Sequence, residues 1–175
     1  TRGPWVISKT SSAFGRDAQM FDSSFGWRFI NPKMEAIYGV DSMGMTAENL
    51  AEKFNISRED QDAFACWSQD KTAKATASGY FEGEITPVSI PQRKGEPKVI
   101  ATDEFARPST SIESLAGLRP AFKKDGTVTA GNASGLNDGA AALLMASDAG
   151  LKENGLKPMV RMVSAAVAGV EPRIM

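Results

Sequence analysis

Residues 127–147, TVTAGNASGLNDGAAALLMAS, decide how this chain folds. The β-branched residues of Thr127 to Ala130 predict a strand. Residues 131–139 are mostly small and predict a tight loop, in which Ser134 offers a hydroxyl group and a backbone amide to a ligand. Residues 140–146 are continuously apolar, which is typical of a strand buried on both faces. The pattern alone does not separate a structural loop from a binding loop.

The residues that follow extend this α/β pattern. Ser147 or Asp148 is placed to cap a short helix that ends at Asn154-Gly155, and residues 160–170 form a second apolar run that predicts another strand. A fully buried strand needs a partner on each edge and a layer on each face. We therefore expect the chain to be part of a larger α/β protein.

The middle of the chain carries helix and hairpin signals. Thr46 is a candidate N-cap for a short helix, and Ser57 precedes a stronger helix over residues 58–78. Residues 84–91 and 98–102 alternate around a turn and predict a β-hairpin. A further short helix is expected over residues 111–118.

The opening third, residues 1–41, shows no sustained period and predicts an irregular, extended arm. It carries many aromatic side chains, which must be covered by something. The cover could be a second subunit, with the arm from Thr1 to Phe29 in an interface, or packing within the same chain. The residues favour neither.

Composition excludes several classes of function. The 175 residues include 20 Lys and Arg against 21 Asp and Glu, so neither nucleic acid nor a membrane surface is an expected partner. With no histidine in the chain, a Ser-His-Asp triad, a Cys-His dyad and an imidazole zinc site cannot be built from it alone. No metal site is expected.

Cys66 is the one cysteine of the sequence. An internal disulfide is therefore impossible, which favours a reducing compartment such as the cytoplasm. The first residues show no signal peptide, and no apolar run is long enough to cross a bilayer. Cys66 is expected mid-helix beside Trp67, which indicates a buried structural thiol.

The segment 127–147 resembles a hallmark of the thiolases, a family of acyl-CoA acyltransferases. Other matching motifs occur in the family's order: TAEN at 46–49, SREDQDAFA at 57–65, LRPAF at 118–122 and VAGVEP at 167–172. Residues 31–32, 38–43 and 90–97 look most like the 3-oxoadipyl-CoA (β-ketoadipyl-CoA) thiolases of aromatic-compound degradation.

The resemblance implies an α/β thiolase fold of two similar αβαβα halves, with an α+β loop domain inserted in the first half. Residues 1–127 would be the loop domain with an oligomerisation arm. Residues 128–158 would return to the N-terminal thiolase domain, and residues 159–175 would begin the C-terminal domain. The chain would be less than half of a family member.

The implied reaction is thiolytic cleavage of a 3-oxoacyl-CoA, here 3-oxoadipyl-CoA, with CoA to acetyl-CoA and a shortened acyl-CoA. A cysteine thiolate takes the acyl group, and histidine and a second cysteine move protons. No catalytic residue matches within this segment, which is expected to be inactive alone. CoA enters as a substrate, no cofactor is permanently bound, and the missing thiolase segments and a homodimer or homotetramer are the expected partners.

CoA-binding residues carry over from the family motifs. Met43 matches a residue beside the pantetheine, with Ser42 where acetoacetyl-type members often have His. Arg107 matches a residue near the adenine and phosphates. Residues along the pantetheine arm are matched by Ser114, Phe122, Ala130 and Ser134. A free-standing, non-catalytic CoA-binding or oligomerisation module is the alternative to an enzyme segment.

Overall fold

The computed structural model describes residues 3–24 and 26–175, and the chain divides into two units. One unit is Asp41–Ser134, and the other comprises the described residues on either side of it. In chain order the elements are β1 (Trp5–Ile7), β2 (Met20–Asp22), α1 (Pro32–Tyr38), α2 (Met43–Phe54), α3 (Arg58–Ala77), β3 (Val88–Ile90), β4 (Lys98–Ile100), α4 (Ile112–Ala116) and α5 (Asp148–Glu153), followed by a 3-10 turn at Pro172–Ile174.

The opening third is not the irregular arm that its sequence predicts. β1 and β2 pair antiparallel, with Val6 opposite Phe21, and α1 begins where the Asn31 side chain accepts a hydrogen bond from the backbone N–H of Lys33 at 2.9 Å. The two strands have three residues each, too few for an alternating pattern to stand out. Thr1, Arg2 and Phe25, which the predicted arm also included, lie outside the described residues.

The helix α2 starts earlier than predicted. Its N-cap is Ser42, whose hydroxyl oxygen accepts from the backbone N–H of Met45 at 3.4 Å. Thr46 is buried in the first turn and donates to the carbonyl of Met43 at 2.7 Å instead of capping. The helix ends at Asn55, which adopts the left-handed conformation.

The remaining predicted helices and the hairpin are confirmed. α3 covers Arg58–Ala77 behind a Ser57 cap, and β3 and β4 pair antiparallel with Val88 opposite Ile100. α4 begins after Ser111, and α5 begins after Ser147 and ends at Asn154. Each of these helices has an N-terminal Ser that accepts a backbone hydrogen bond, as its sequence indicates.

The three strands predicted downstream, at 127–130, 140–146 and 160–170, are not found in the described part of the chain. At 127–130 only Thr129 forms an isolated bridge, with Pro120, and residues 140–146 and 160–170 have no regular structure. Their large side chains are exposed, Leu143 to 86%. A strand requires a second strand to take up its hydrogen bonds, and no other described segment pairs with these residues.

The core of the unit Asp41–Ser134 combines apolar and polar side chains. The buried apolar side chains are Ala51, Leu115 and Val128, and the buried polar ones are Thr46, Glu48, Asp62 and Thr129. All buried side-chain nitrogen and oxygen atoms in the described residues have hydrogen-bond partners. The packing of this unit therefore depends on specific hydrogen bonds as much as on apolar contact.

Candidate functional site

The Glu48 carboxylate of α2 binds the start of the segment 127–147. Glu48, which is 3% exposed, accepts hydrogen bonds from the backbone N–H groups of Thr127 at 3.0 Å and Val128 at 2.9 Å. The Thr127 hydroxyl group donates to the same carboxylate at 3.3 Å. Gly126 leaves the necessary space, since a Cβ there would overlap the Glu48 carboxylate.

A second buried carboxylate comes from α3. Asp62 pairs with Arg58 through a 2.8 Å contact between Oδ2 and Nε, and its Oδ1 accepts from the Asn132 side-chain amide at 2.9 Å. Arg58 also donates to the carbonyl of Leu115 at the end of α4, at 2.7 Å. Asp62 thus joins α3, α4 and the 127–134 segment.

Residues 129–133 form a tight turn around the buried Thr129 side chain. The Thr129 hydroxyl oxygen accepts from the backbone N–H groups of Gly131 and Asn132 at 3.2 and 3.3 Å. The Asn132 side chain accepts from the Thr129 N–H at 2.7 Å and donates to the Thr127 carbonyl at 3.0 Å. A Cβ at Gly131 would lie 2.5 Å from side-chain carbons of Leu115 and Leu118, so only glycine packs here without displacement.

This turn presents two of the predicted CoA-binding residues at the surface. Ala130 lies within the turn and Ser134 directly after it, and both are exposed. Because hydrogen bonds fix Thr129 and Asn132, the backbone of Ala130 between them has a defined position. The predicted tight small-residue loop is confirmed at 131–134, although the strand before it is not.

Ser114, a third predicted residue, lies in the first turn of α4. Its hydroxyl group donates to the Ser111 carbonyl at 2.8 Å, and its oxygen accepts from the Ser111 N–H at 3.0 Å. Glu113 beside it accepts from its own backbone N–H and from the Ser111 hydroxyl, and these bonds lower the pKa of that carboxyl group. Ser114 is an exposed residue, and its hydroxyl group takes part in the helix cap.

Phe122 contacts the start of α2, next to Met43 in the sequence of that helix. The Phe122 ring packs directly on Gly44, where a Cβ would overlap the ring, and Met43 is the preceding residue. Both side chains are about half exposed or more, Met43 to 64% and Phe122 to 47%. A shallow groove of about 380 Å³ lined by residues 119–125 runs beside Phe122.

Arg107 is held by its backbone. Its N–H donates to the Gln69 side chain of α3 at 2.9 Å, and its carbonyl accepts from the Thr110 N–H at 3.1 Å. The residue itself is exposed. The guanidinium group therefore extends from an anchored loop, an arrangement that suits contact with an anion at the surface.

One stretch, residues 111–134, carries four of the six predicted residues: Ser114, Phe122, Ala130 and Ser134. The Pro120–Thr129 bridge and a 2.9 Å hydrogen bond from Ala121 N–H to the Val128 carbonyl fold residues 111–134 back on themselves. The structure connects Met43 to this stretch through Gly44. It connects Arg107 only through the backbone contacts of its loop.

Cys66 is half-buried in α3, and its Sγ lies 3.7 Å from the Thr110 carbonyl oxygen. The thiol is less buried than predicted, but this contact joins the helix to the Arg107 loop and agrees with a structural role. In the part of the chain that the structure describes, no three His, Cys, Asp or Glu residues are grouped so that they could hold a metal ion. None of the described helices is long and apolar enough to span a membrane.

Sequence reasoning missed Glu48, Asp62 and Asn132. Acidic residues near a helix start ordinarily favour the helix dipole, but Glu48 and Asp62 lie beyond the first turns of α2 and α3. A signal was available for Glu48, because Gly44, Glu48 and Ala51 recur at helical spacing on the buried face of α2. A carboxylate on that stripe indicates a buried hydrogen-bonding partner.

Comparison with known proteins identifies relatives of this chain. Residues 18–149 match the model of the thiolase N-terminal domain. A β-ketoadipyl-CoA thiolase of Acinetobacter baylyi is 57% identical over all of this chain and 44% of its own length. An Escherichia coli 3-oxoadipyl-CoA/3-oxo-5,6-dehydrosuberyl-CoA thiolase is 53% identical over the same shares.

A solved structure agrees with these sequence matches. The crystal structure of the Bacillus anthracis acetyl-CoA acetyltransferase superposes with a TM-score of 0.71 at 42% identity, covering 98% of this chain and 42% of that one. The chain spans less than half the length of the relatives that it matches.

Proposed function

Because the chain belongs to the thiolase family, we propose that it is a segment of an enzyme that cleaves a 3-oxoacyl-CoA with CoA, and that it supplies CoA-binding residues. The acyl substrate we propose is 3-oxoadipyl-CoA, which is supported by the names of its relatives in Acinetobacter baylyi and Escherichia coli. The products are acetyl-CoA and a shortened acyl-CoA.

The observation that carries this proposal is the turn at 129–133 and what it presents. Ala130 and Ser134 are exposed on a backbone that partly buried hydrogen bonds hold in place. Pantetheine has two amides and short apolar links, so it suits a surface of small side chains and free backbone groups. The turn exposes the small side chain of Ala130, and Ser134 adds a hydroxyl group.

Phe122 and Met43 supply the apolar part of the same surface. Both are partly exposed, and Phe122 packs on Gly44, the residue that follows Met43. An aromatic ring and a thioether adapt to the methylene groups of an extended ligand. We assign Ser114 to the same arm on the motif match, with its hydroxyl group held by the helix cap.

Arg107 is proposed to bind the adenine and phosphate end of CoA. A guanidinium group can stack on a base and pair with phosphate oxygens. The anchoring of the Arg107 backbone by Gln69 and Thr110 limits the loss of freedom on binding.

The segment does not supply the nucleophile in this proposal. Acyl transfer through a thioester requires an activated thiolate and a proton carrier. Cys66 is held against the Thr110 carbonyl in α3, and the chain has no histidine. CoA acts as a substrate, and no permanently bound cofactor is required.

The organisation we propose follows the family pattern. Residues 1–127 are the loop domain with an oligomerisation arm, residues 128–158 return to the N-terminal thiolase domain, and residues 159–175 begin the C-terminal domain. The apolar residues of 140–146 and 160–170 would become strands against the missing thiolase segments. The assembled enzyme is proposed to be a cytoplasmic homodimer or homotetramer.

Ala130→Leu in the complete thiolase that contains this segment tests the proposal. The larger side chain projects from the turn where pantetheine would lie, so KM for CoA in thiolysis of 3-oxoadipyl-CoA should rise about tenfold, the equivalent of 1.4 kcal/mol. Ala116→Leu, at an exposed position of α4, is the matched control and should leave KM unchanged.

Two outcomes would contradict the proposal at different levels. An unchanged KM in Ala130→Leu would show that the turn does not contact CoA. Absence of thiolysis in the complete wild-type protein would exclude the enzymatic function and favour a non-catalytic CoA-binding or oligomerisation module.

A further inference from the structure

Three motifs that are far apart in the sequence meet in the core of the unit Asp41–Ser134. Glu48 belongs to TAEN, Asp62 to SREDQDAFA, and Asn132 to the segment 127–147. None of the three is among the proposed CoA contacts. Both carboxylates are 3% exposed, and both have hydrogen bonds to the 127–134 segment.

We propose that Glu48 and Asp62 are positioning residues, which set the affinity for CoA by holding the turn that carries Ala130 and Ser134. This inference rests on the proposed function, because it assigns to these two side chains a role toward the same ligand. Neither side chain is proposed to touch CoA or the reacting atoms.

Glu48 controls where the turn begins. Its two oxygens accept from the N–H groups of Thr127 and Val128 and from the Thr127 hydroxyl. A neutral amide has only one acceptor oxygen, and its NH₂ group would face a donor. Glutamine therefore cannot satisfy this set, although its size is almost the same.

Asp62 controls the turn through the amide of Asn132. That amide donates to Asp62 Oδ1 and to the Thr127 carbonyl, and its oxygen accepts from the Thr129 N–H. A carboxylate can only accept hydrogen bonds. It therefore keeps the NH₂ group of Asn132 facing Asp62 and the amide oxygen facing Thr129. The Arg58 contact holds Asp62 itself in place.

If either carboxylate is displaced, the movement is transmitted to the surface through a few covalent bonds. Thr129 is fully buried, and its neighbour Ala130 is exposed, so a shift of the buried residue moves the exposed one. Packed apolar residues often stabilise a core as well as buried charges do. The carboxylates have a different advantage here, because their hydrogen bonds have defined directions and so define one arrangement of the turn.

The test uses Glu48→Gln and Asp62→Asn in the complete thiolase. A loss of folded protein alone would reduce kcat per total enzyme and leave KM for CoA unchanged, whereas a displaced turn raises KM. We expect KM for CoA to rise about tenfold or more in each variant, which is the scale of one hydrogen bond to a charged group. The kcat at saturating CoA should stay within about twofold of wild type.

Matched controls lie on the same two helices. Glu52 is on α2 and pairs with Lys123 at 3.1 Å, and Asp70 is on α3 and pairs with Lys74 at 2.6 Å, but both carboxylates are at least half exposed. Glu52→Gln and Asp70→Asn remove the same chemical group without a contact to the turn. Their KM for CoA should equal that of wild type.

Thr127→Val keeps the test decisive if Glu48→Gln does not fold. It removes the hydroxyl group that donates to Glu48 and accepts from Gln61 at 2.9 Å, while both backbone N–H groups remain. Its KM for CoA should rise about threefold. An unchanged KM in the folded variants would overturn the positioning role, whereas absence of thiolysis in wild type would overturn the proposed function instead.

Discussion

The carboxylate of Glu48 lies 2.9 Å from the backbone nitrogen of Val128, 80 positions further along the chain. This hydrogen bond connects the first helix of the unit Asp41–Ser134 to its last segment. It is fully buried, where competition from water is weakest and an unpaired partner is most costly. The geometry of the candidate CoA surface therefore depends on residues that lie beneath it.

Asp62→Ala is expected to destabilise the protein strongly. It leaves Arg58 and the Asn132 amide without their shared acceptor, and breaking a buried pair in this way costs about 3 to 5 kcal/mol. The carboxylate of Asp70 is exposed and is likewise paired with a basic residue one helical turn away on α3. Asp70→Ala should therefore lower the free energy of unfolding by only about 0.5 kcal/mol. Urea denaturation of the two variants measures the difference, and equal losses would contradict it.

Gly44→Ala should destabilise the start of α2. The new Cβ overlaps the Phe122 ring, and overpacking of this kind costs about 1 to 3 kcal/mol. The double variant Gly44→Ala/Phe122→Ala should recover most of the loss caused by the collision, because the ring is removed. A double-mutant cycle on the free energy of unfolding checks this, and strictly additive effects would exclude the contact.

Arg107→Ala in the complete thiolase should weaken CoA binding by about 1 to 3 kcal/mol, the scale of one set of charge-assisted hydrogen bonds. Calorimetric titration with CoA measures the change. Arg93→Ala in the turn between β3 and β4 loses the same charge and is expected to bind CoA like wild type. An unchanged dissociation constant in Arg107→Ala would remove this residue from the site.

The hairpin of β1 and β2 is expected to lie in a subunit interface. Ile7 and Met20 pair across its exposed face, each more than 60% exposed, while Phe21 on the other face packs edge-to-face with Phe29 at 5.2 Å. Ile7→Ser/Met20→Ser should shift the assembled thiolase from tetramers toward dimers in analytical ultracentrifugation, because burial of such side chains contributes about 1.5 to 3 kcal/mol each.

Thr10→Ser, in the loop between the two strands, keeps a hydroxyl group for the contact with the Ser12 carbonyl and is the matched control for the hairpin variant. A tetramer that persists in Ile7→Ser/Met20→Ser at low protein concentration would show that the arm packs within its own subunit. Phe25, an alternative position for this exchange, lies outside the described residues.

The chain of residues 1–175 is expected to have no thiolase activity alone. Its one cysteine is half-buried against Thr110 and has no histidine to activate it. Assays of 3-oxoadipyl-CoA and acetoacetyl-CoA thiolysis, followed by loss of enolate absorbance, should show no turnover with mass-verified material. Turnover that disappears in Cys66→Ser would overturn the structural assignment of Cys66.

The sequence by itself determined the elements whose signals are local. Ser57, Ser111 and Ser147 predicted three helix starts, and the turn between residues 90 and 98 predicted the hairpin, because capping and turn formation depend on residues a few positions apart. The six candidate CoA residues came from a family resemblance, since exposed side chains such as Ala130 carry no periodic signal of their own.

Only the tertiary structure decided what the long-range polar residues do. Glu48 and Asp62 lie beyond the first turns of α2 and α3, and their partners at Val128 and Asn132 lie 80 and 70 positions away. The same reason explains why the strands predicted at 140–146 and 160–170 are not found. An apolar run signals burial, but a strand forms only where another segment takes up its backbone hydrogen bonds. Such pairing is a property of three-dimensional neighbours, which no local pattern encodes.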